Sequence, residues 1–221
     1  MVDIQMIAVL FDFDGVVMDT ESQYSVFWHK VGVDYLDMED LETRVKGQTL
    51  KFIYDTFFPG KVNEQLAITE ALERYEQQMD YSYVPGVKMF IEDLRYHDVK
   101  LAVVTSSNNE KMEAVYRRHP EIKKMFDRIL TAEMFSHSKP APDCFLLGMD
   151  VFGTTPQTTY VFEDSFNGLK AGMASGATVI GLATTNPRNL IEGKAHFIIN
   201  DFKGMTYDKL MKNYTFVHRT K

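Results

Sequence analysis

The sequence holds one cysteine, Cys144, so no internal disulfide can staple the fold and nothing asks for an oxidising compartment; the reduced cytoplasm is the expected location. Long hydrophobic runs are missing as well. Met6 to Phe11, the longest near the start, is too short to span a bilayer or to act as the apolar part of a secretory signal, and no cationic segment precedes it. Neither a membrane nor a secretory route is expected, and the Asn213-Tyr214-Thr215 sequon reads as chance. Positive charge is short: 24 Lys and Arg stand against 31 Asp and Glu, a net charge of −7 that excludes the basic field of a nonspecific nucleic-acid binder. Anions can then be bound only locally. There is no Gly-x-Gly-x-x-Gly, P-loop, His-Glu-x-x-His or cysteine pair, so nicotinamide, nucleotide-cradle and zinc readings have no support. No internal repeat or low-complexity tract is present.

What is there is a globular composition, 45% hydrophobic over 221 residues, enough for one large domain or a main domain with a smaller one. Met6 to Phe11 is continuously apolar and stops at Asp12-Phe13-Asp14-Gly15. Short apolar runs bounded by turn residues read as strands buried on both faces, as in a parallel sheet. Lys100 to Thr105, Thr159 to Phe162 and Thr178 to Leu182 share that character, with a weaker run at His196 to Ile199. Between them lie amphipathic stretches at Val87 to His97, Asn109 to Arg118, Asp143 to Phe152 and Ser165 to Ser175. This alternation predicts an α/β, doubly wound parallel sheet. Glu21 to Val84 breaks the rhythm with helical patterns only, at Ser22 to Val33, Met38 to Phe57 and Asn63 to Met79. The expected organisation is a core of residues 1–20 with 85–221 and an inserted small all-helical unit over 21–84. Gly168 and Gly172 share a helix face that can approach the sheet closely, and Gly176 is the expected helix stop. Tyr214 to Lys221 reads as a polar, basic, loosely packed end.

Ligands of an open parallel sheet sit beyond the carboxyl ends of its strands. The first end supplies Asp12 and Asp14, two apart and so on one side of an extended segment; the next supplies Thr105-Ser106-Ser107; a third supplies Glu163-Asp164. Lys139 lies in the loop before Asp143. Each group alone has an ordinary reading: Asp-x-Asp as a turn, the hydroxyls and Glu163-Asp164 as helix caps, Lys139 as a solvated loop residue. Their occurrence as an ordered set favours phosphoryl chemistry. A carboxylate attacking a phosphate dianion needs a divalent cation and a positive side chain to offset repulsion. Asp12, Glu163 and Asp164 offer oxygen ligands for Mg²⁺, Lys139 and Thr105 can hold phosphoryl oxygens, and Asp14 is placed for proton transfer.

Phe11-Asp12-Phe13-Asp14-Gly15-Val16-Val17-Met18-Asp19-Thr20, with Thr105, Lys139-Pro140 and Glu163-Asp164, resembles the four-motif signature of the haloacid dehalogenase-like superfamily over nearly the whole chain. The resemblance implies a Rossmann-like core with a helical cap inserted after the first motif. It further implies that Asp12 is the nucleophile and Asp14 the general acid and base. Thr105, Ser106 and Lys139 would bind phosphate, and Asp12, the Asp14 carbonyl, Glu163 and Asp164 would form the Mg²⁺ site. An aspartate at the second position of motif I points to phosphate esters rather than dehalogenation. The Glu-Asp form of motif IV and the Asp19-Thr20 pair look most like the beta-phosphoglucomutase-like branch.

Mutases of that branch carry a histidine where this chain has Tyr24, and an arginine after Gly-x-x where Gly47-Gln48-Thr49 is followed by Leu50. The expected activity is therefore a Mg²⁺-dependent phosphatase acting on a small phosphorylated metabolite such as a sugar phosphate, with a sugar-phosphate mutase as the alternative. Thr20, Tyr24, Trp28, Gly47 and Lys51 are candidate specificity residues, with Arg44 and Lys46 as further cations; against this, the basic residues can form a solvated face and the aromatics a cap core. A receiver domain also combines Asp, Mg²⁺, Thr and Lys, but there the phosphorylated aspartate follows the third strand, an order this chain does not have. A non-catalytic binding protein is disfavoured because every catalytic position is filled. Oligomeric state is not legible.

Overall fold

The computed structural model describes residues 6–214; the expectation for the tail beyond Tyr214 and the last residue of the sequon lie outside the described residues. Six strands, β1 (Ala8–Phe11), β2 (Lys100–Val104), β3 (Arg128–Leu130), β4 (Thr159–Glu163), β5 (Thr178–Leu182) and β6 (Phe197–Ile199), form one parallel sheet in the order β3-β2-β1-β4-β5-β6. The central strand β1 is apolar at every position because both of its faces are covered. Val9 and Phe11 enter one core layer with Phe90, Phe162 and Phe202, whose rings approach Phe11 at 5.2 to 6.2 Å. Ala8 and Leu10 enter the other, with Phe145, Met149 and Leu169. The two layers are the two faces of a doubly wound sheet, as the alternation of runs predicts.

Four helices follow β1: α1 (Glu21–Leu36), α2 (Leu41–Val45), α3 (Leu50–Phe57) and α4 (Val62–Glu76). They close on a third apolar cluster that includes Phe27, Trp28, Val31, Ile53, Phe58 and Leu72. The remaining helices are α5 (Val87–Tyr96), α6 (Asn109–Arg118), α7 (Ile122–Met125), α8 (Asp143–Phe152), α9 (Phe166–Ser175), α10 (Arg188–Ile191) and α11 (Tyr207–Asn213). Among the described residues no helix is long and apolar enough to cross a membrane.

Two expectations need correction. The single helix expected over Met38 to Phe57 is two, because Gly47 takes φ +73° and the Thr49 hydroxyl accepts from Phe52 N–H at 3.2 Å, starting α3 afresh. The apolar spacing of Leu41, Val45 and Ile53 runs through the break and hides it. Strand β3 is absent from the sequence reading; three residues beginning with an exposed Arg128 give too little pattern to notice.

Candidate active site

The register of the sheet assembles the site. Phe11 is paired with Val103 on one side and Phe162 on the other, so Asp12 leaves β1 between the ends of β2 and β4. Lys139 reaches the same point from the loop before α8, fully buried. Its ammonium donates to Asp12 Oδ1 at 2.8 Å and Glu163 Oε1 at 2.6 Å, with the Val104 carbonyl at 3.5 Å. Burial alone pulls an ammonium down, but these two carboxylates outweigh it and hold Lys139 above its ordinary value. Asp12 is pushed up to about 7 by burial, against the pull of Lys139.

Asp12, Glu163 and Asp164 each bring a carboxylate oxygen within 4.8 Å of the others. They are not equally free. Glu163 Oε2 accepts from the backbone N–H groups of Asp164 and Ser165 at 2.8 and 2.9 Å and from Ser165 Oγ at 3.1 Å, leaving only the Oε1 beside Lys139. Asp164 accepts from Thr185 through Oδ2, while its Oδ1 is buried with no hydrogen-bond partner. A buried, unpaired carboxylate oxygen beside two more carboxylates is costly unless a cation takes it up. Burial, followed by Glu163, raises Asp164 well above the ordinary range. These donors are the hard oxygens that Mg²⁺ prefers, and they fit it.

The ordinary cap readings are partly displaced. Helix α6 is capped by Asn108, which accepts from Lys111 N–H at 2.9 Å, so the three hydroxyls before it are not its caps. Helix α9 is capped by Ser165 at Gly168 N–H, 3.0 Å. A Cβ on Gly168 would stand 1.7 Å from Glu163 Oε1, so the absence of a side chain there makes room for that carboxylate.

Asp14 lies beside a cavity between the sheet end and the helical unit, lined also by Asp12, Thr105, Ser106, Ser107 and Asp164 from the core. Thr105 is buried and its Oγ1 accepts from Ser107 N–H at 3.0 Å. Ser106, expected as a phosphate donor, spends its hydroxyl on the Gly47 carbonyl at 2.9 Å and so clasps the helical unit to the core. Tyr24, Trp28 and Gly47 line the cavity, and Trp28 is at the same time part of the helical unit's own core. Thr20 does not line it: buried behind Asp14, it donates to Oδ1 at 2.5 Å. Lys51 does not line it either: it lies exposed on α3 and pairs with Asp55. Arg44 is likewise exposed and paired with Asp40, whereas Lys46 does line the cavity.

Sequence reasoning missed Lys111, Thr185, Glu21 and Glu76, and gave Ser107 no role of its own within the Thr105-Ser106-Ser107 run. Lys111, on α6, donates to Asp14 Oδ2, to which Ser107 Oγ also donates at 3.0 Å. Glu21 is pushed up to about 7 by burial and then by Asp14. Glu76 is raised by burial and accepts from the Tyr24 hydroxyl at 2.8 Å. Thr185 had a readable signal, a polar Thr184-Thr185 pair just past β5, by the same strand-end rule. Lys111 had none, because a lysine in a helix is usually solvated.

Residues 9–182 match the family model described as haloacid dehalogenase-like hydrolase. A phosphorylated carbohydrates phosphatase of Thermotoga maritima is 30% identical over 184 residues, 77% of this chain and 82% of that protein. A fructose-1-phosphate phosphatase of Escherichia coli is 28% identical, covering 78% of this chain and 94% of its own. A beta-phosphoglucomutase structure from Clostridium difficile superposes with a TM-score of 0.77 at 19% identity, over 95% of this chain and 97% of that one, a likeness of fold.

Proposed function

The chain belongs to the haloacid dehalogenase-like hydrolase family, and from that premise we propose that it is a Mg²⁺-dependent phosphatase that hydrolyses a small phosphorylated metabolite, a sugar phosphate, through a phospho-aspartate on Asp12. The observation that carries this reading is the buried meeting of Asp12, Lys139, Glu163 and Asp164 at adjacent strand ends, where Asp12, Asp164 and Asp14 line one cavity. Relatives whose names are phosphatases of phosphorylated carbohydrates and of fructose 1-phosphate support the substrate class.

In this reading an Asp12 oxygen attacks phosphorus and the ester oxygen leaves with a proton from Asp14. Asp14 then takes a proton from the water that attacks the phospho-aspartate, releasing phosphate and restoring Asp12. Lys139 holds Asp12 and offsets the negative charge that gathers there, and the Thr105 hydroxyl is offered to a phosphoryl oxygen. Asp12, Asp164 and the Asp14 carbonyl would hold Mg²⁺, with Glu163 contributing through Oε1 and by orienting Asp164 and Lys139. The bound ion would supply neutralisation of the phosphate dianion. The helical unit over 21–84 serves as the cap over this site.

The mutase alternative requires a second phosphate to be held at the cap side of the cavity, where this chain places Tyr24, Leu50, the carboxylates of Glu42 and Glu76, and one cation, Lys46. Turnover of a panel of sugar phosphates, nucleotides and pyrophosphate, with Mg²⁺ present or chelated, tests the proposal. Free phosphate from a sugar monophosphate, dependent on Mg²⁺ and abolished in Asp12→Asn, is expected. Wild-type turnover by Asp12→Asn would overturn it, and conversion of β-glucose 1-phosphate to glucose 6-phosphate without free phosphate would assign the mutase instead.

A further inference from the structure

Lys111 is a lysine in an unusual place. It sits on α6, outside the strand-end positions, and is only 5% exposed. An ammonium with so little water needs compensation from the protein. It finds the Asp14 carboxylate, to which it donates through Oδ2, and two rings, Tyr24 with its centroid 4.3 Å from Nζ and Phe13 at 5.8 Å. Behind the ring, Glu76 accepts from the Tyr24 hydroxyl at 2.8 Å. Glu76, Tyr24, Lys111 and Asp14 thus form a chain that starts on α4, passes through α1 and ends on the proton-transfer residue. Asp14 also accepts from Ser107 at Oδ2 and from Thr20 at Oδ1, so its carboxylate is fixed by three donors, of which Lys111 alone is charged.

We propose that Lys111 is a positioning residue that acts through Asp14, and that the step it serves is protonation of the leaving oxygen. The proposal rests on the phosphatase reading above. When the phosphorus–oxygen ester bond breaks, its electron pair stays on the leaving oxygen, which takes the proton from Asp14 and leaves a carboxylate. The ammonium at Oδ2 stabilises that carboxylate as it forms and keeps it from rotating away. In the second half the same carboxylate receives a proton from water as the water oxygen bonds to phosphorus and the bond to Asp12 breaks. Lys111 itself gives up no proton.

This assigns Lys111 a signature that a packing role does not have. A sugar phosphate expels an alkoxide, which needs the proton; p-nitrophenyl phosphate expels a phenolate that is stable as an anion near neutral pH. The experiment compares wild type, Lys111→Met, Lys111→Arg and Asp14→Asn on a sugar monophosphate and on p-nitrophenyl phosphate, with Mg²⁺ saturating. Lys111→Met is expected to lose about 100-fold in kcat/KM on the sugar phosphate, but less than about fivefold on the aryl ester, on the scale of general-acid contributions, because kcat/KM ends at expulsion of the leaving group. Lys111→Arg, which keeps the charge, recovers most of the loss. Asp14→Asn shows the same substrate dependence of kcat/KM, more strongly, while its kcat falls on both esters because the shared water step also uses Asp14.

Equal losses on both substrates in Lys111→Met, alongside a substrate-dependent loss in Asp14→Asn, overturn the role of Lys111 and leave the phosphatase reading standing. Equal losses of kcat/KM in Asp14→Asn remove the acid role through which Lys111 is proposed to act and overturn the proposal, whereas a wild type that cleaves neither ester overturns the phosphatase reading itself. If Lys111→Met does not give folded protein by thermal melting, Lys111→Gln carries the same test. It keeps a polar donor near Asp14 without the charge, and is expected to show a smaller loss confined to the sugar phosphate.

Discussion

Lys139→Met removes the one ammonium shared by Asp12 and Glu163 while nearly keeping the stem's volume. Both carboxylates are buried and Lys139 is wholly so, so the change leaves two negative groups facing each other without compensation. Breaking a buried ion pair from one side costs about 3–5 kcal/mol. At roughly 2–4 °C per kcal/mol for a chain of this size, the melting temperature should fall by roughly 6–20 °C at about pH 8 with a chelator present. Protonation offers a partial escape. Asp12, pushed up to about 7 even with Lys139 in place, rises further when the lysine goes, so near pH 5.5 it is neutral and less than half of the loss should remain. Saturating Mg²⁺ near pH 8 should restore part of the loss, because it binds the folded carboxylates and not the unfolded chain. Thermal unfolding of the two proteins under these three conditions is the assay. A melting temperature within about 2 °C of wild type near pH 8 with chelator would refute the reasoning, since Lys139 would then not be what compensates Asp12 and Glu163.

Wild-type stability without metal should itself decline with pH. Asp12 and Glu21 both stand at about 7 when folded, above the ordinary carboxylate range, so their contribution is fullest below that range and is lost as pH rises to about 7. Chelated protein is expected to melt several degrees higher near pH 5.5 than near pH 8, and Mg²⁺ should flatten the difference; a melting temperature that rises over that window would contradict it. Gly168→Ala pushes a methyl group into Glu163, whose nearest oxygen would be 1.7 Å away, and should cost about 1–3 kcal/mol by denaturant unfolding and lower kcat more than tenfold. Unchanged stability and kcat would show that Glu163 has room to move.

What the sequence made legible is tied to the sheet. Asp12, Thr105 and Glu163 could be read because each follows a short apolar run, and parallel strands bring their carboxyl ends to one edge. Lys139 was readable only as one of an ordered set, since a loop lysine is ordinarily solvated, whereas here it is wholly buried. The helical unit is where reading failed. Lys51 and Arg44 have the charge expected of a substrate contact but lie on exposed faces, each satisfied by an aspartate on the neighbouring turn. Lys51 lies past the break at Gly47, which periodicity alone does not register, so its face cannot be carried over from the helix before it. Lys111 and Glu76, from α6 and α4, are linked through Tyr24 of α1, and a link made across the cavity leaves no local trace in the chain.

Trapping phosphate on the protein tests the central claim most directly. Enzyme mixed with a sugar phosphate and Mg²⁺ is quenched in acid during turnover; one portion is weighed directly by mass spectrometry, and another is reduced with borohydride, which displaces the phosphate and turns the acyl carbon into an alcohol, before its peptides are weighed. The account predicts one phosphoryl group per chain before reduction and an alcohol in place of the Asp12 carboxyl after it, with loss of both when Mg²⁺ is chelated or Asp12 is replaced by Asn. Phosphate on another residue, or rapid turnover with no phosphorylated peptide in rapidly quenched samples and no reduction at Asp12, would contradict it.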